Sequence, residues 1–155
     1  MGVINELTYL HMEIFGTIEE MERRVARLIR LDRQGDPLGQ QVDRLAASAL
    51  RLRQLLQLCQ HRQEEEVFAR VRRICGEDTE DVVELREEMR RGLAAVDRFI
   101  AQMPASNEEM TRGTGRSLRE ALTALTEAYE RRREAEQRFL QSYSTLLYPG
   151  GLATE

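Results

Sequence analysis

The sequence predicts an all-α fold, an antiparallel bundle of three to four long helices with coiled-coil character. Apolar residues recur at heptad spacing in several segments, the pattern of helices that bury one side against their neighbours. Only three prolines occur, so long stretches of the chain contain no helix breaker. Aromatic residues make up 5% and there is no tryptophan, which predicts an aliphatic core. We expect residues 1–147 to form one helical bundle domain and residues 148–155 to form a flexible tail.

The first helix is expected over residues 4–31. Two apolar rows repeat every seven positions along it: Leu7, Ile14, Met21 and Leu28 in one row, and Ile4, His11, Ile18 and Val25 in the other. His11 lies on a core row, where a polar residue that sets the helix register is the preferred interpretation over a ligand. Gly35 and Pro37 end the helix, because glycine forms a left-handed cap and proline cannot continue a helix.

The second helix is expected over residues 37–75. Its rows contain Leu38, Leu45, Leu52 and Cys59 on one side and Val42, Ala49 and Leu56 on the other. The repeat slips at Arg62 and Gln63 and resumes at Val67. The polar stretch 61–66 is therefore interpreted either as a kink or as a part of this helix that extends beyond its neighbours. Residues 76–79 close the helix and cap the next one.

The third helix is expected over residues 80–103, ending before Pro104, and the fourth over residues 116–147. The apolar face of the fourth helix contains Leu118, Leu122, Leu125, Tyr129, Phe139 and Tyr143. Arg132 and Glu136 interrupt this face. We interpret an interrupted seam as unsuited to a sealed core and suited to a surface that opens for a partner helix.

Composition and charge narrow the function classes. The net charge of −4 argues against nucleic acid or an anionic membrane as the main partner. Cys59 and Cys75 both fall within helical patterns and give no disulfide framework, which favours a reducing compartment. No apolar run approaches the ~18 residues of a membrane span, and acidic residues near the start do not fit a signal peptide. We expect a soluble, cytoplasmic protein.

Catalytic and metal-binding patterns are not evident in the sequence. Neither histidine has the Glu-x-x-His spacing of a di-metal carboxylate bundle, and Cys59 with His61 makes a poor zinc half-site. No phosphate-binding loop or nucleophile motif occurs. We therefore expect no enzyme activity, no cofactor and no metal; a helix-bundle metalloprotein that uses His61 is kept as a remote alternative.

Several segments resemble the FlgN-like flagellar export chaperones. They are the heptad-rich first helix, residues 83–89 (VELREEM), residues 103–110 (MPASNEEM) before the last helix, and the ending 145–151 (TLLYPGG). The ending is similar to the terminal Leu-Tyr-Gly-x-x-Gly of that family, although Pro149 stands where the family usually has glycine.

This resemblance implies a cytoplasmic chaperone of type III export. It would bind an amphipathic helix of an exported, hook–filament junction type protein. By resemblance, Leu118, Leu122, Leu125 and Tyr129 would belong to the client face, which we extend along the same helix to Phe139 and Tyr143. Tyr148 would dock at a component of the export gate.

The alternative function is a structural coiled-coil subunit that forms homo-oligomers, and a homodimer is left open. Both hypotheses assume that the sevenfold repeats create more apolar stripe than one chain can bury internally.

Overall fold

The computed structural model describes residues 2–104 and 113–144. The described residues form helices and connecting turns and contain no strand. The elements are α1 (Val3–Gln34), α2 (Gly39–Arg62), a π-helical segment (Gln63–Phe68), α3 (Ala69–Cys75), α4 (Glu80–Gln102) and α5 (Thr114–Ser142). The predicted all-α class is confirmed, and the α-helix starts and ends fall within a few residues of the predicted ones wherever both are described.

Two glycines end helices as the sequence predicts. Gly35 follows α1 with φ 72° and its N–H donates to the carbonyl of Asp32, while Gly76 follows α3 with φ 85° and donates to the carbonyl of Arg72. Both are left-handed conformations that glycine adopts without steric cost. The connections they begin are short, so the flanking helices return alongside one another.

Contacts between side chains show that neighbouring helices run in opposite directions. Glu13 pairs with Arg51 of α2, and Glu6, nearer the start of α1, lies beside Arg62 at the end of α2. Pairs of the same kind join α2 to α4 (Arg53–Asp97), the π-helical segment to α4 (Glu64–Arg86) and α4 to α5 (Glu84–Arg138). Helix α5 also packs against α1, so each of α1, α2, α4 and α5 contacts two of the others.

The interior is largely aliphatic, as the composition predicts, but it also contains four aromatic side chains, Phe68, Phe99, Tyr129 and Phe139. Every heptad-row residue of α1 whose side chain the structure describes is buried, as are the rows of α2. Most large apolar residues of α4 are buried too (Val82, Leu85, Met89, Val96 and Phe99), whereas Leu93 and Ile100 are partly buried and Val83 is exposed. The expectation that the repeats produce more apolar stripe than the chain can bury is therefore wrong for these rows. Four long helical segments offer enough mutual surface to cover them.

The slip in the repeat of the second helical segment coincides with the π-helical turn. Buried positions follow heptad spacing up to Gln63, and the next buried residue is Val67, one position later than the repeat requires. A π turn holds one additional residue. It therefore absorbs the slip and keeps Val67, Phe68 and Val71 in the core.

Three features predicted from the sequence lie outside the described residues: the last residues of the fourth helix up to 147, Tyr148 and the tail 148–155. Among the described helices, none combines the length and hydrophobicity needed to cross a membrane.

Candidate functional site

The apolar face predicted to hold a client helix lies in the core. Its five central residues are buried: Leu118, Leu122, Leu125, Tyr129 and Phe139. Tyr143 is partly buried, with its ring 4.8 Å from that of Phe139 and its hydroxyl donating to Thr79 Oγ1 at 2.6 Å. None of the five is accessible to a partner while α5 is packed in this way, so partner binding by this face stays a prediction that requires α5 to move.

A cluster of polar side chains crosses the core between α1, the π-helical segment and α5. The hydroxyl of Tyr129 donates to His11 Nδ1 at 2.7 Å, and His11 Nε2–H donates to Glu136 Oε2 at 2.8 Å, in the tautomer that satisfies both bonds. Gln63 Nε2 donates to the same carboxylate oxygen at 2.8 Å. The expected burial of His11 is confirmed. Its hydrogen bonds join α1 to α5, and Gln63 adds the π-helical segment through Glu136.

Glu136 is ionised in this cluster. Burial raises the pKa of its carboxyl, but the hydrogen bond from His11 and the positive charges of Arg133 and Arg132 lower the pKa more, to below its ordinary value. Arg133 also donates to the second carboxylate oxygen at 3.2 Å. Hydrogen bonding to the charged form is a sufficient cause for such a shift.

The interpretation of Arg132 and Glu136 as a surface interruption is wrong, because both are buried. Glu136 is compensated by the cluster. Arg132 is not, since none of its guanidinium nitrogens has a hydrogen-bond partner among the described residues.

The cluster holds a thiol and a phenol, and its environment keeps both protonated at neutral pH. Burial raises the pKa of the Cys59 thiol to about 11, and burial also raises the pKa of Tyr129 above its usual range. Cys59 Sγ lies 3.8 Å from His11 Nε2, a distance typical of a weak contact. Nucleophilic chemistry needs a lowered pKa or an adjacent free base, so this arrangement favours fixing helix register.

An open groove lies above this cluster, between α1 and α5. It has a volume of about 720 Å³, and His11 and Tyr129 reach its floor from below. The exposed side chains of Met12 and Phe15 line it, and Ile18 contributes to its floor. Met12 and Phe15 are two of the large exposed apolar side chains of the described residues, and both lie in this concave surface, so the groove is the candidate functional site.

Exposure distinguishes this strip of α1 from the heptad rows. Phe15 is 58% exposed, Met12 69% and Tyr9, one turn before Met12, 62%. Bulky apolar groups left in water along one helix face mark an interaction surface more specifically than single exposed leucines do.

Carboxylates line the rim of the groove. Glu19 and Glu22 project from α1, Glu130 and Glu134 from α5, and all four are exposed. None of the four has an ion pair or hydrogen bond among the described residues, whereas Arg133 on the same rim is held by Glu136. The rim therefore presents four uncompensated negative charges around an apolar floor.

Sequence reasoning missed Tyr9, Met12 and Phe15 because it followed only the two heptad rows. The signal was present: three bulky apolar residues at i, i+3 and i+6 beside a complete pair of rows form a third stripe. A two-row pattern already accounts for the core, so a third stripe has no internal partner.

The remote metalloprotein alternative rested on His61. This residue is exposed, and its Nε2 lies 3.2 Å from Glu65 one turn later. Within 2–104 and 113–144, no group of three or more His, Cys, Asp or Glu side chains is arranged to hold a metal ion.

Comparison with known proteins gives no match to this chain, whether to family models, to curated proteins or to solved structures.

Proposed function

We propose that this chain is a protein-binding adaptor that holds a helical segment of a partner in the α1–α5 groove. The observation that carries the proposal is the strip Tyr9, Met12 and Phe15, three large side chains that are each more than half exposed, of which Met12 and Phe15 line the groove. In water such a strip is stabilised when another apolar surface covers it.

A helix is the occupant that the groove favours. Two adjacent helices leave a furrow between them, and a third helix packs its ridge of side chains into such a furrow. Anchors spaced one turn apart on α1 meet apolar side chains at i, i+3, i+4 and i+7 on an incoming helix. In this proposal the four helical segments form an antiparallel bundle with coiled-coil packing, which provides a rigid frame for the furrow.

The narrower form of the proposal is a cytoplasmic export chaperone that delivers an exported protein to a type III apparatus. The resemblance of residues 83–89, 103–110 and 145–151 to the FlgN-like chaperones supports it. Within this proposal the client binds in the α1–α5 groove and not on the α5 face expected from the resemblance, because that face is buried. A client held on the outside requires no core helix to leave.

Site-specific photo-crosslinking tests the proposal. A photoreactive amino acid at position 12 should crosslink, in the cells that make this protein, to one partner whose linked segment is an amphipathic helix. Phe15→Glu should reduce that crosslink at least about tenfold, because it places a charge in the apolar floor.

The matched control is the same photoreactive residue at position 50, with Leu50→Glu as the matched substitution. Leu50 is also a half-exposed apolar residue, but it lies on α2 outside the groove. A partner that crosslinks equally from positions 12 and 50, or whose crosslink at position 12 survives Phe15→Glu, would contradict binding in the groove. A crosslink from position 12 to a second copy of this chain would instead support the homo-oligomer alternative.

A further inference from the structure

We infer that the α1–α5 groove selects a basic amphipathic helix, one whose apolar stripe is flanked by arginine or lysine. This inference rests on the proposed function and adds the chemical class of the partner. The charges of the groove rim support it, because an apolar floor alone does not distinguish a basic helix from an acidic one.

The groove has the length and the lining of a helix seat. Along α1 it runs from Thr8 to Glu22, which is roughly 21 Å at 1.5 Å per residue. An incoming helix of about four turns covers that length. Its apolar stripe would lie on Met12 and Phe15, the two exposed apolar side chains that line the groove.

The rim carboxylates determine the flanks of that helix. Glu19 and Glu22 stand on one side of the floor, and Glu130 and Glu134 on the other. A helix that lies between them places its own flanking residues beside both rows. Acidic flanks would be repelled, whereas basic flanks gain four glutamates that are unpaired among the described residues.

The opposite side of α1 provides an internal comparison. There α1 and α2 form a second groove, and its carboxylates are neutralised within the chain: Glu13 by Arg51 at 2.8 Å, and Glu20 by Arg24 at 2.7 Å. Ser48 also donates to Glu20 at 3.3 Å. Charges on this side of α1 are thus compensated by Arg51 of α2 and by Arg24 of α1 itself, whereas the glutamates beside α5, where Phe15 lies, have no partner among the described residues.

Two designed peptides test the inference. Both are helices of about 18 residues with leucine at i, i+3, i+4 and i+7; one has arginine at the flanking positions and the other has glutamate. We expect the full-length protein to bind the arginine peptide at least about tenfold more tightly at low salt, with the difference shrinking at 0.5 M salt as screening increases. Binding is measured by fluorescence anisotropy.

Reversing the rim charges gives the more specific result. The double variant Glu130→Arg/Glu134→Arg leaves two negative and two positive charges on the rim, so it should lose the preference and bind the two peptides about equally. The control Glu77→Arg/Glu120→Arg changes the net charge equally at exposed positions that do not line the groove, and it should keep the original preference. Circular dichroism confirms that both variants remain folded.

Each other outcome is distinguishable. If the protein without rim substitutions binds both peptides equally and Phe15→Glu abolishes that binding, the charge inference is overturned and the proposed function stands. Failure of both peptides to bind would overturn the inference, and the crosslinking experiment then decides the proposed function by itself. Self-association lost on Phe15→Glu would assign the groove to a second copy of this chain and overturn the inference.

Discussion

Arg132 is among the largest fully buried side chains of the described residues, and its burial is costly. Its neighbours on α5 provide one negative charge, Glu136, but that carboxylate accepts hydrogen bonds from His11, Gln63 and Arg133 instead. The charge of the guanidinium acts on the buried Cys59 thiol and on Glu136, and it lowers the pKa of both groups. Removing such a group from water costs several kcal/mol, and imperfect hydrogen bonding leaves most of that cost in place.

Arg132→Met should therefore stabilise the protein. Methionine fills a similar elongated volume without a charge, so we expect the free energy of unfolding to rise by about 1–3 kcal/mol. Urea denaturation measures it, with Arg131→Met at the exposed neighbouring position as the control, expected to change stability by less than about 0.5 kcal/mol. A clear loss of stability on Arg132→Met would mean that the guanidinium has a partner in the folded protein.

Glu136 makes the free energy of unfolding depend on pH in the acidic range. The pKa of its carboxyl is lowered in the folded protein relative to the ordinary 4.5, so folding favours the ionised form. The stabilisation is fully present above pH 4.5 and is lost as the pH falls from there through the folded-state pKa.

Glu136→Gln tests this dependence. At pH 7 it should lower the free energy of unfolding by about 1–3 kcal/mol, because a neutral amide accepts more weakly from His11 and Arg133. The difference from wild type should shrink as the pH falls below 4.5. Glu120→Gln, at an exposed position, should show no such difference. A gap between wild type and Glu136→Gln that stays constant down to pH 3 would contradict a lowered pKa.

At the scale of single residues, the sequence predicts which side chains are buried better than it predicts their hydrogen-bond partners. The heptad rows place His11 in the core, because position alone decides which face a side chain occupies. They do not reveal that His11 meets Tyr129 and Glu136, 118 and 125 residues away in sequence. The same limit explains why Arg132 and Glu136 were interpreted as exposed: a charged residue on a seam is unfavourable in isolation, and only the facing helices show that one of the two is compensated.

The π-helical segment is the least regular element, and its sequence explains it. The polar stretch from His61 onward shifts the apolar repeat by one residue, and Gln63–Phe68 takes up the additional residue in a widened turn. Phe68, at its end, packs edge-on against Phe139 and lies beneath the guanidinium of Arg86 at 5.5 Å. The segment therefore keeps α3 in register with α4 and α5.

Deleting Glu65 should be tolerated. Loss of one exposed residue from a π turn restores α-helical hydrogen bonding and leaves Val67, Phe68 and Val71 facing the core, so we expect the free energy of unfolding to change by less than about 1 kcal/mol. Deleting Arg90 from the regular helix α4 should instead rotate Val96 and Phe99 by roughly 100° out of the core and cost more than about 3 kcal/mol. Equal damage from the two deletions would show that the π turn does not absorb the slip.

The elements themselves were predictable because their signals are local. Gly35 and Gly76 end helices through backbone conformations that few other residues adopt, and Pro104 follows shortly after α4. The slip at Gln63 was visible too, but sequence spacing left a kink and an overhanging end equally open. Deciding between them requires knowing where α4 and α5 pass, which is information that the local sequence does not contain.

For the whole molecule, the central question is whether binding uses an outer groove or an opened core. The sequence pointed to Leu118, Leu122 and Leu125 on the fourth helix, but their burial stabilises the fold, and removing α5 would expose them at a cost of about 1.5–3 kcal/mol for each. The α1–α5 groove requires no such cost. A protein that binds its partner in this groove keeps α5 packed in the core.

Helices α1 and α5 can be locked together to decide this. A Cβ at position 115 would lie 3.8 Å from the Cβ of Ile29, which is the usual separation across a disulfide. The variant Ile29→Cys/Gly115→Cys, with Cys75→Ser to remove the exposed thiol, should therefore form a bridge between the two helices near Leu118. Reduction releases it in the same sample.

The direct measurement is the affinity of the disulfide-locked protein for the partner crosslinked from position 12, compared before and after reduction. If the outer groove is the binding surface, we expect the two dissociation constants to agree within about twofold, a difference of roughly 0.4 kcal/mol in binding free energy. Affinity that disappears in the locked protein and returns on reduction would show that α5 must leave the core, and would contradict binding in the α1–α5 groove.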